Sequence, residues 1–407
     1  MNRKILEYGA HAYGTPLYIF DLDALADEVH RIRACLDQKA ELCYAMKANP
    51  FLTGSFAELT DRIEVCSMGE FRICRELGIH ADRLVISGVL KKEEDLLEIL
   101  DYCQENSVYT AESMRQLRCL AGWAESHQKT LRVYPRLTSG NQFGMDEETI
   151  RHLVQTRAGY PFLKIQGLHF FSGTGKRRQK AIEKELRYLD EFLQNIEQEA
   201  QFSFAELEYG PGIGVPYFMD EEIETFSDEG LRMIAETIDG MKWSGRVRLE
   251  LGRALAARCG CYLTTIRDVK CSRDKNYCIV DGGIHQINYD GQIRGMYQPH
   301  VMLLPSENSV IGQEDENSET AADRAWTVCG SLCTANDVLC QITLEKEPEE
   351  GDVLVFERTG AYSVTEGMAL FLSHELPGIV CYSEKDGWKP ARERQELYQW
   401  NMWKQTK

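Results

Sequence analysis

The fold can be inferred outward from one stretch, Glu41-Leu42-Cys43-Tyr44-Ala45-Met46-Lys47-Ala48-Asn49-Pro50. Its apolar run, residues 42–46, is continuous, as in a strand that is buried on both faces. Lys47 ends the run, and Asn49-Pro50 then breaks the backbone. Partial desolvation at a strand end lowers the pKa of an amine and activates it towards carbonyl compounds. The same pattern also fits a lysine whose side chain simply extends into solvent.

Short apolar runs on both sides of this stretch alternate with segments that have the pattern of amphipathic helices. The runs lie at residues 15–20, 42–46, 63–66, 84–87, 108–111, 131–137, 165–171, 206–209 and 247–251. Helices are expected over 22–36, with Asp21 as N-cap, and over 91–105 and 180–201. This alternation predicts an α/β protein with a TIM-like (β/α)8 barrel. The main alternative is an open doubly wound sheet, but no GxGxxG motif follows an early strand.

After about residue 256 the pattern changes to strands joined by turns, at 261–269, 277–281, 325–329, 338–343 and 352–357. We therefore expect three parts: an N-terminal strand within 1–20 that joins the β-domain, the barrel over 21–255, and a β-rich barrel or sandwich over 256–407. The acidic segment 306–323 is expected to be a surface loop. The charged tail 386–407, which contains three tryptophans, is expected to form a terminal helix.

Composition excludes several classes of function. The net charge of -18 disfavours nucleic acid and anionic membranes as partners. The sequence shows no signal peptide and no stretch that could span a bilayer. Its 14 cysteines include no CxxC pair, which argues against a zinc ribbon or a thioredoxin-like site. Reduced, mostly buried thiols in a cytoplasmic protein are expected, and no metal site is predicted.

Candidate functional residues collect at the carboxyl ends of the predicted barrel strands, where such barrels carry their sites. They are Lys47, Ser67, Ser87, Gly88, Glu112, Arg136, His169, Ser172, the glycine-rich turn 210–214, Glu250 and Arg253. Two small-residue loops, 172–175 and 210–214, could bind a phosphate through backbone N–H groups. Two simpler interpretations stay open: His169 also fits a core residue beside Phe170 and Phe171, and Glu250 could simply pair with Arg253.

An ordered set of motifs carries a resemblance to a known family. Residues 44–49 (YAMKAN), 210–214 (GPGIG), 250–253 (ELGR), 329–334 (CGSLCT) and 360–362 (GAY) occur in this order. The sequence resembles the pyridoxal-phosphate-dependent amino-acid decarboxylases of the alanine-racemase-like barrel fold, the group that contains diaminopimelate and ornithine decarboxylases. The likeness extends from about Gly14 to Glu375.

The resemblance implies a role for each matching residue. Lys47 would hold pyridoxal 5'-phosphate as a Schiff base, His169 would stack on the pyridine ring, and Glu250 would pair with the protonated ring nitrogen. Around the phosphate it places Ser172, Gly212, Gly214, Arg253 and Tyr362. Cys333 would come from the second subunit of a homodimer with shared active sites and reprotonate the product. Substrate contacts are expected from Thr334, Arg136 and Tyr297.

Departures from the family pattern bear on the substrate. Leu251 replaces a usual proline and Pro211 a usual glycine, and both changes look tolerable. Thr334 follows Cys333 where diaminopimelate and ornithine decarboxylases usually have an acidic residue that meets the distal ammonium of the substrate. Threonine cannot supply that charge, so the chain looks closer to relatives that act on siderophore precursors or on a carrier-bound glutamyl group. Carrier proteins are usually acidic, so the charge of -18 favours a free small substrate.

These observations predict a cytoplasmic, homodimeric decarboxylase that removes the α-carboxylate of an amino-acid-like substrate. The first alternative is a racemase of the same fold, but such racemases lack the cysteine segment and use a tyrosine as second base. The other alternative is a non-catalytic pyridoxal-phosphate-binding regulator. The full set Lys47, His169, Glu250 and Cys333 argues against it.

Overall fold

The computed structural model describes residues 1–289, 297–306, 324–344 and 346–403. The acidic loop expected over 306–323 falls outside the described residues beyond residue 306. The chain divides into two compact units. The strand-rich unit comprises Met1–Asp27, Pro216–Glu221 and Ala256–Lys407, and the barrel unit comprises Glu28–Val215 and Glu222–Leu255.

The chain begins with helix α1 (Arg3–Tyr13), strand β1 (Leu17–Asp21) and helix α2 (Leu22–Leu36). Asp21 caps α2, because its Oδ1 accepts hydrogen bonds from the backbone N–H groups of Asp23 and Ala24 at 3.1 and 3.0 Å. The expected limits of α2 and its N-cap are therefore confirmed. The sequence analysis did not predict α1.

Eight parallel strands close the barrel unit, and a ninth short strand pairs with β6. They are β2 (Glu41–Ala45), β3 (Arg62–Val65), β4 (Leu84–Ile86), β5 (Val108–Ala111), β6 (Leu131–Leu137), β7 (Leu163–Ile165), β8 (Gly167–Phe171), β9 (Glu206–Gly210) and β10 (Arg246–Leu251). The order is β5-β4-β3-β2-β10-β9-β8-β6-β7, and β5–β6 pairing closes the ring. The predicted TIM-like barrel is confirmed.

Helices connect successive barrel strands, so the carboxyl ends of all the strands face the same way. The connecting helices are α3 (Thr53–Leu59), α4 (Met68–Glu76), α5 (Glu93–Cys103), α6 (Met114–His127), α7 (Glu147–Gln155), α8 (Gln179–Ala200) and α9 (Asp228–Asp239), and the short α10 (Arg253–Ala256) follows the last barrel strand. The longest, α8, buries one apolar face that includes Ile182, Leu186, Leu189 and Leu193.

The strand-rich unit is built on one mixed sheet. Its later strands are β11 (Gly260–Ser272), β12 (Lys275–Val280), β13 (Val301–Leu304), β14 (Ala325–Cys329), β15 (Val338–Thr343), β16 (Val353–Glu357), β17 (Gly378–Ser383) and β18 (Gly387–Arg392). Strand β1 lies inside this sheet, antiparallel to β11 and parallel to β17, with Leu17 opposite Gly378. A separate β-rich part of the fold is thus confirmed.

The expected terminal helix is wrong for the described part of the tail. Strand β18 occupies residues 387–392 and is followed by a single 3-10 turn, Tyr398–Trp400. Trp388 pairs with Tyr382 across β17 and β18, and its ring contacts those of Tyr8 and Tyr13. These tertiary contacts outweigh the charged, helix-like composition of the segment. Within the described ranges, no helix has both the length and the apolar composition needed to cross a membrane.

A network of charged side chains fills one layer of the barrel interior. Arg248 is 2% exposed and contacts Glu41, Glu206 and Glu208 at 2.5, 3.1 and 3.5 Å. Glu206 also accepts a hydrogen bond from the Tyr134 hydroxyl and lies 3.8 Å from Arg62. We call this group the arginine network: Glu41, Arg62, Tyr134, Glu206, Glu208 and Arg248.

Candidate active site

Lys47 lies in a single 3-10 turn, Met46–Ala48, directly after β2. Its Nζ donates to Glu64 Oε2 at 2.7 Å and to Glu250 Oε1 at 3.0 Å. The two carboxylate side chains are 3% and 4% exposed, whereas that of Lys47 is 35% exposed. The amine is therefore held between two buried carboxylates and is still accessible to a reactant.

The register of the barrel sheet explains this arrangement. Strands β3 and β10 are the two neighbours of β2. Glu64 on β3 lies opposite Ala45, and Glu250 on β10 lies opposite Cys43. Each flanking strand thus supplies one carboxylate close to where β2 ends and Lys47 begins.

His169, on β8, is the fourth member of this group. Its Nε2 lies 2.9 Å from Glu250 Oε2, so both oxygens of Glu250 are engaged. Burial disfavours ionisation of Glu250, but the Lys47 charge and the His169 hydrogen bond outweigh it and hold the pKa of Glu250 well below its usual value. The buried carboxylate is therefore ionised. We call Lys47, Glu64, His169 and Glu250 the lysine cluster.

Glu64 was not among the functional residues predicted from the sequence. Its only signal was a carboxylate inside the apolar run 63–66, which a half-exposed strand would also show. Ligand-type atoms of Glu64, His169 and Glu250 lie within 4.8 Å of one another, a grouping that could also bind a divalent metal. The Lys47 ammonium already donates to both carboxylates, and its charge would compete with a cation.

Gly252 and Arg253 follow β10 directly. A Cβ on Gly252 would lie 2.9 Å from the Cβ of Ala48, so a larger residue here would displace the turn that carries Lys47. Arg253 begins α10 and is 7% exposed. Arg253, which is predicted to bind the phosphate, therefore lies two residues after the end of β10, the strand that carries Glu250.

The two small-residue loops, 172–175 and 210–214, are joined to each other. Lys176 N donates to Gly212 O at 2.8 Å, and Gly214 N donates to Lys176 O at 3.0 Å. Gly212 has φ +63, and a Cβ there would lie 1.9 Å from the carbonyl oxygen of Gly173. Only glycine permits this backbone contact, which brings the predicted residues Gly212 and Gly214 next to the loop of Ser172.

Glu185 and Lys176 lie beside these two loops, and neither was predicted from the sequence. Glu185, on α8, accepts hydrogen bonds from the hydroxyls of Ser172 and Tyr209 at 2.5 and 2.6 Å. Lys176 Nζ lies 3.3 Å from Glu185 Oε2. Glu185 lies in an ordinary amphipathic helical pattern, so nothing in the sequence singled it out.

Arg136 is the penultimate residue of β6 and lies opposite His169 in the sheet. Its Nη1 donates to Glu112 Oε1 at 2.8 Å, and its guanidinium carbon lies 4.6 Å from the centre of the Phe143 ring. Arg136 is 7% exposed, and its Nε has no partner among the described residues. Arg136 therefore lies at the carboxyl end of the barrel beside His169, with its guanidinium held by Glu112 and Phe143.

Cys333 and Thr334 lie together on a loop of the strand-rich unit. Cys333 is exposed, whereas the preceding Leu332 is buried. The carboxylate of Asp337 accepts from Leu332 N at 2.7 Å and from Ile284 N at 2.8 Å, which fixes the loop. A thiol at this position is presented to the outside of its own unit.

Tyr362 and Tyr297 are the two other predicted site residues of the strand-rich unit. Tyr362 follows the Gly360-Ala361 pair and has φ +64, an uncommon conformation for a non-glycine residue. Tyr297 is 48% exposed and stacks near Phe218, with ring centres 5.1 Å apart. Neither is on the loop of Cys333.

The residues of the barrel unit fit pyridoxal phosphate, the cofactor that the resemblance implies. Lys47 offers an amine for its aldehyde, and Glu250 offers an ionised carboxylate for its ring nitrogen. His169 Nδ1 is buried and has no partner among the described residues. A Cβ on Gly212 or Gly214 would lie 1.9 or 2.9 Å from the carbonyl oxygen of Gly173 or Lys176, so the 210–214 turn leaves no room for side chains at these two positions, as a backbone phosphate site requires.

Several known proteins match nearly the whole chain, among them diaminopimelate decarboxylases such as that of Aquifex aeolicus, 25% identical over 87% of this chain and 83% of its own length. Two others act on conjugated amino acids by name, and both are 25% identical to this chain. The L-glutamyl-[BtrI acyl-carrier protein] decarboxylase of Niallia circulans matches 90% of this chain and 88% of its own length. The 2-[(L-alanin-3-ylcarbamoyl)methyl]-2-hydroxybutanedioate decarboxylase of Staphylococcus aureus matches 89% and 93%. The chain is thus similar to these proteins over nearly its whole length.

Solved structures agree on the fold. Diaminopimelate decarboxylase of M. jannaschii, in complex with L-lysine, superposes with a TM-score of 0.81 at 21% identity, over 97% of this chain and 92% of that one. The family model for the pyridoxal-binding domain of pyridoxal-dependent decarboxylases matches residues 22–257, more than half of the chain. The chain therefore belongs to the pyridoxal-dependent decarboxylases, and it is a carboxy-lyase whose cofactor is pyridoxal phosphate.

Proposed function

We propose that the protein removes the α-carboxylate from a conjugated amino acid whose side chain has no free ammonium at its far end. The observation that carries this proposal is Thr334, which follows Cys333 where the resemblance leads us to expect an acidic residue. A distal ammonium would lose solvation beside threonine without gaining a charge partner. Two relatives that match nearly the whole chain are named for conjugated substrates, one carrier-bound and one joined to a hydroxybutanedioate, whereas others of similar coverage are diaminopimelate decarboxylases.

The substrate is proposed to be a free small molecule, such as a siderophore precursor, rather than a group on a carrier protein. With a net charge of -18, the chain would repel an acidic carrier unless a local basic patch received it. We propose that the protein is located in the reducing cytoplasm, because all 14 cysteines are free and nine of them are buried.

The lysine cluster is proposed to do the chemistry at the cofactor. When bound, pyridoxal phosphate withdraws the electron pair that remains on the substrate after carbon dioxide leaves. Lys47 would hold the cofactor covalently through Nζ. Glu250, ionised and buried, would keep the ring nitrogen protonated, because a nearby negative charge favours the charged form. His169, fixed through Nε2 by Glu250, would pack on the ring.

Binding of the cofactor's phosphate is proposed for Ser172, Gly212, Gly214, Arg253 and Tyr362. The joined glycine loops support the first three assignments through their backbone N–H groups, and the buried Arg253 supplies a fixed positive charge. Arg136, which lies opposite His169 in the sheet, and the exposed Tyr297 are proposed to contact the substrate.

Cys333 is proposed to serve the active site of a second subunit, where its thiol would protonate the α-carbon of the product. Its exposure and the fixed loop that carries it support this role. In a two-fold dimer the same shared site is built twice.

Carbon dioxide release from a substrate panel tests the proposed reaction. Citryl and other acyl conjugates of diamino acids should be decarboxylated faster than diaminopimelate, ornithine or lysine. Thr334→Glu should raise the activity on diaminopimelate relative to the best conjugate, by roughly tenfold. Efficient decarboxylation of diaminopimelate by the wild-type enzyme would overturn the substrate assignment.

Subunit mixing tests the shared site. Lys47→Ala and Cys333→Ala chains, each nearly inactive, are mixed under conditions that allow subunits to exchange. Random exchange makes half of the dimers hybrid, so roughly a quarter of all sites should regain both residues and activity should return towards that level. If native mass spectrometry shows hybrids and activity stays absent, Cys333 does not act in the neighbouring subunit.

A further inference from the structure

A carboxylate lies beside the loops that are proposed to bind the phosphate. Ser172 has one hydroxyl hydrogen, and that hydrogen is donated to Glu185 Oε1 at 2.5 Å. A phosphate group is an acceptor and carries negative charge, so it cannot take the same hydrogen and would be repelled by Glu185. A phosphate site here therefore needs a positive charge that offsets Glu185.

Lys176 is placed to supply that charge. Its Nζ lies 3.3 Å from Glu185 Oε2 and donates to Pro211 O at 2.8 Å and to Gly173 O at 3.2 Å. Three ammonium hydrogens thus meet three acceptors, one from each small-residue loop and one from α8. The side chains of Lys176 and Glu185 are only 13% and 19% exposed, so solvent screens the pair weakly.

The backbone of Lys176 joins the same two loops. It donates to Gly212 O and accepts from Gly214 N, and its carbonyl also accepts from the Thr225 hydroxyl at 2.6 Å. One residue therefore determines both the spacing of the loops and the local balance of charge.

We propose that Lys176 and Glu185 form a positioning pair for the phosphate of the cofactor, in which Lys176 neutralises Glu185 and holds the two glycine loops together. The proposal rests on the proposed placement of the phosphate at these loops. Neither residue need touch the cofactor. Without Lys176, the phosphate would bind beside an uncompensated carboxylate.

Equilibrium binding of two ligands to the cofactor-free protein tests the proposal. The ligands are pyridoxal phosphate and pyridoxal, which lacks the phosphate, and the measurement is the dissociation constant from absorbance titration. Lys176→Met should weaken binding of pyridoxal phosphate by tenfold or more, roughly the effect of one uncompensated charge, and leave pyridoxal unchanged. Lys180→Met, at an exposed lysine nearby on α8, is the matched control and should bind both ligands normally.

The double variant separates charge balance from simple support of the loops. Glu185→Gln keeps the shape of the side chain and removes its charge, so Lys176→Met/Glu185→Gln should bind pyridoxal phosphate about tenfold more tightly than Lys176→Met alone. A double variant that binds as weakly as Lys176→Met, or an equal loss of pyridoxal binding, would overturn the proposal.

If Lys176→Met does not fold, the single variant Glu185→Gln provides the test. It should bind pyridoxal phosphate more tightly than wild type, and weaker binding would contradict the proposed pair. Failure of the wild-type protein to bind pyridoxal phosphate would instead contradict the cofactor assignment.

Discussion

The lysine cluster and the arginine network occupy successive layers of the same barrel, and they differ chiefly in their cation. Strand β10 contributes Arg248 to the network and Glu250 to the cluster, two residues apart on one face. Strand β3 does the same with Arg62 and Glu64. Both groups contain buried, hydrogen-bonded charges, so burial of charge does not by itself identify the reactive layer.

The chemistry of the two cations explains the difference. The carboxylates around Arg248 outweigh its burial and raise its pKa further, so this guanidinium stays charged and can only bind. Lys47 carries an amine that can lose a proton and attack a carbonyl, and it is 35% exposed where Arg248 is 2% exposed. We infer that arginine makes the first layer structural, whereas lysine makes the second one reactive.

Lys47→Arg should cause the largest change, because it places the unreactive cation in the reactive layer. Arginine keeps a positive charge between Glu64 and Glu250 but cannot hold the cofactor covalently. Carbon dioxide release should fall by roughly ten-thousandfold or more, while the thermal midpoint changes little. Borohydride reduction and peptide mapping should find the cofactor on Lys47 in the wild type and on no lysine in the variant.

A control for that variant is Lys129→Arg, at a lysine whose side chain is also 35% exposed and which pairs with Glu105; this variant should retain full activity. A reduced cofactor on another lysine of the wild-type protein would contradict the assignment of Lys47.

Arg248→Met should have the largest effect on stability, because it leaves three carboxylates of the arginine network without their main partner. Removing one side of a buried ion pair costs about 3–5 kcal/mol, so the thermal midpoint should drop by on the order of 10 °C. Arg246→Met on the same strand is the matched control: Arg246 is 61% exposed, and its pair with Glu41 should matter little. Equal effects of the two substitutions would show that the network does not stabilise the barrel.

Glu250→Gln should reduce turnover by about a hundredfold to a thousandfold while the cofactor still binds. Glutamine keeps the shape of the side chain but cannot favour a protonated ring nitrogen. Turnover and the absorbance of the bound cofactor should be measured together. Near-normal turnover would mean that Glu250 only holds Lys47 and His169 in place.

The smallest predicted effect is on the stability of the fold at acid pH. Burial alone would raise the pKa of Glu206, but the Tyr134 hydrogen bond and the Arg248 charge lower it from 4.5 to about 2. A lowered pKa stabilises the fold above pH 4.5, and this contribution is lost as the pH falls from about 4.5 to about 2. Glu206→Gln should therefore flatten the dependence of the thermal midpoint on pH within that window. An unchanged slope would show that Glu206 does not couple protonation to folding.

The barrel could be predicted because its strands are strongly apolar and regularly spaced. Runs 108–111 and 131–137 match β5 and β6 to the residue. Helix α1 and strands β13, β17 and β18 were not predicted. The helix predicted for the tail was wrong because Trp388 packs against Tyr8 and Tyr13, which lie at the other end of the sequence.

The active site could be predicted only in part, because a linear sequence does not show which residues of neighbouring strands lie opposite one another. Lys47, His169 and Glu250 stood out at strand ends, but Glu64 was hidden within an apolar run until β3 was placed beside β2. Lys176 and Glu185 had no signal of their own, since their importance depends on two loops that meet. Residues that act through a neighbour are the ones that sequence patterns reveal least.

Strand β1 has a consequence for biosynthesis. All five of its residues are buried, yet its parallel partner β17 begins only at residue 378. The ribosome therefore releases the first strand of this sheet long before its last neighbour exists. A nascent chain that stops short of β17 carries β1 with an unpaired edge, and such an edge can capture other chains. Premature termination late in the gene should thus yield aggregates rather than a soluble, truncated enzyme.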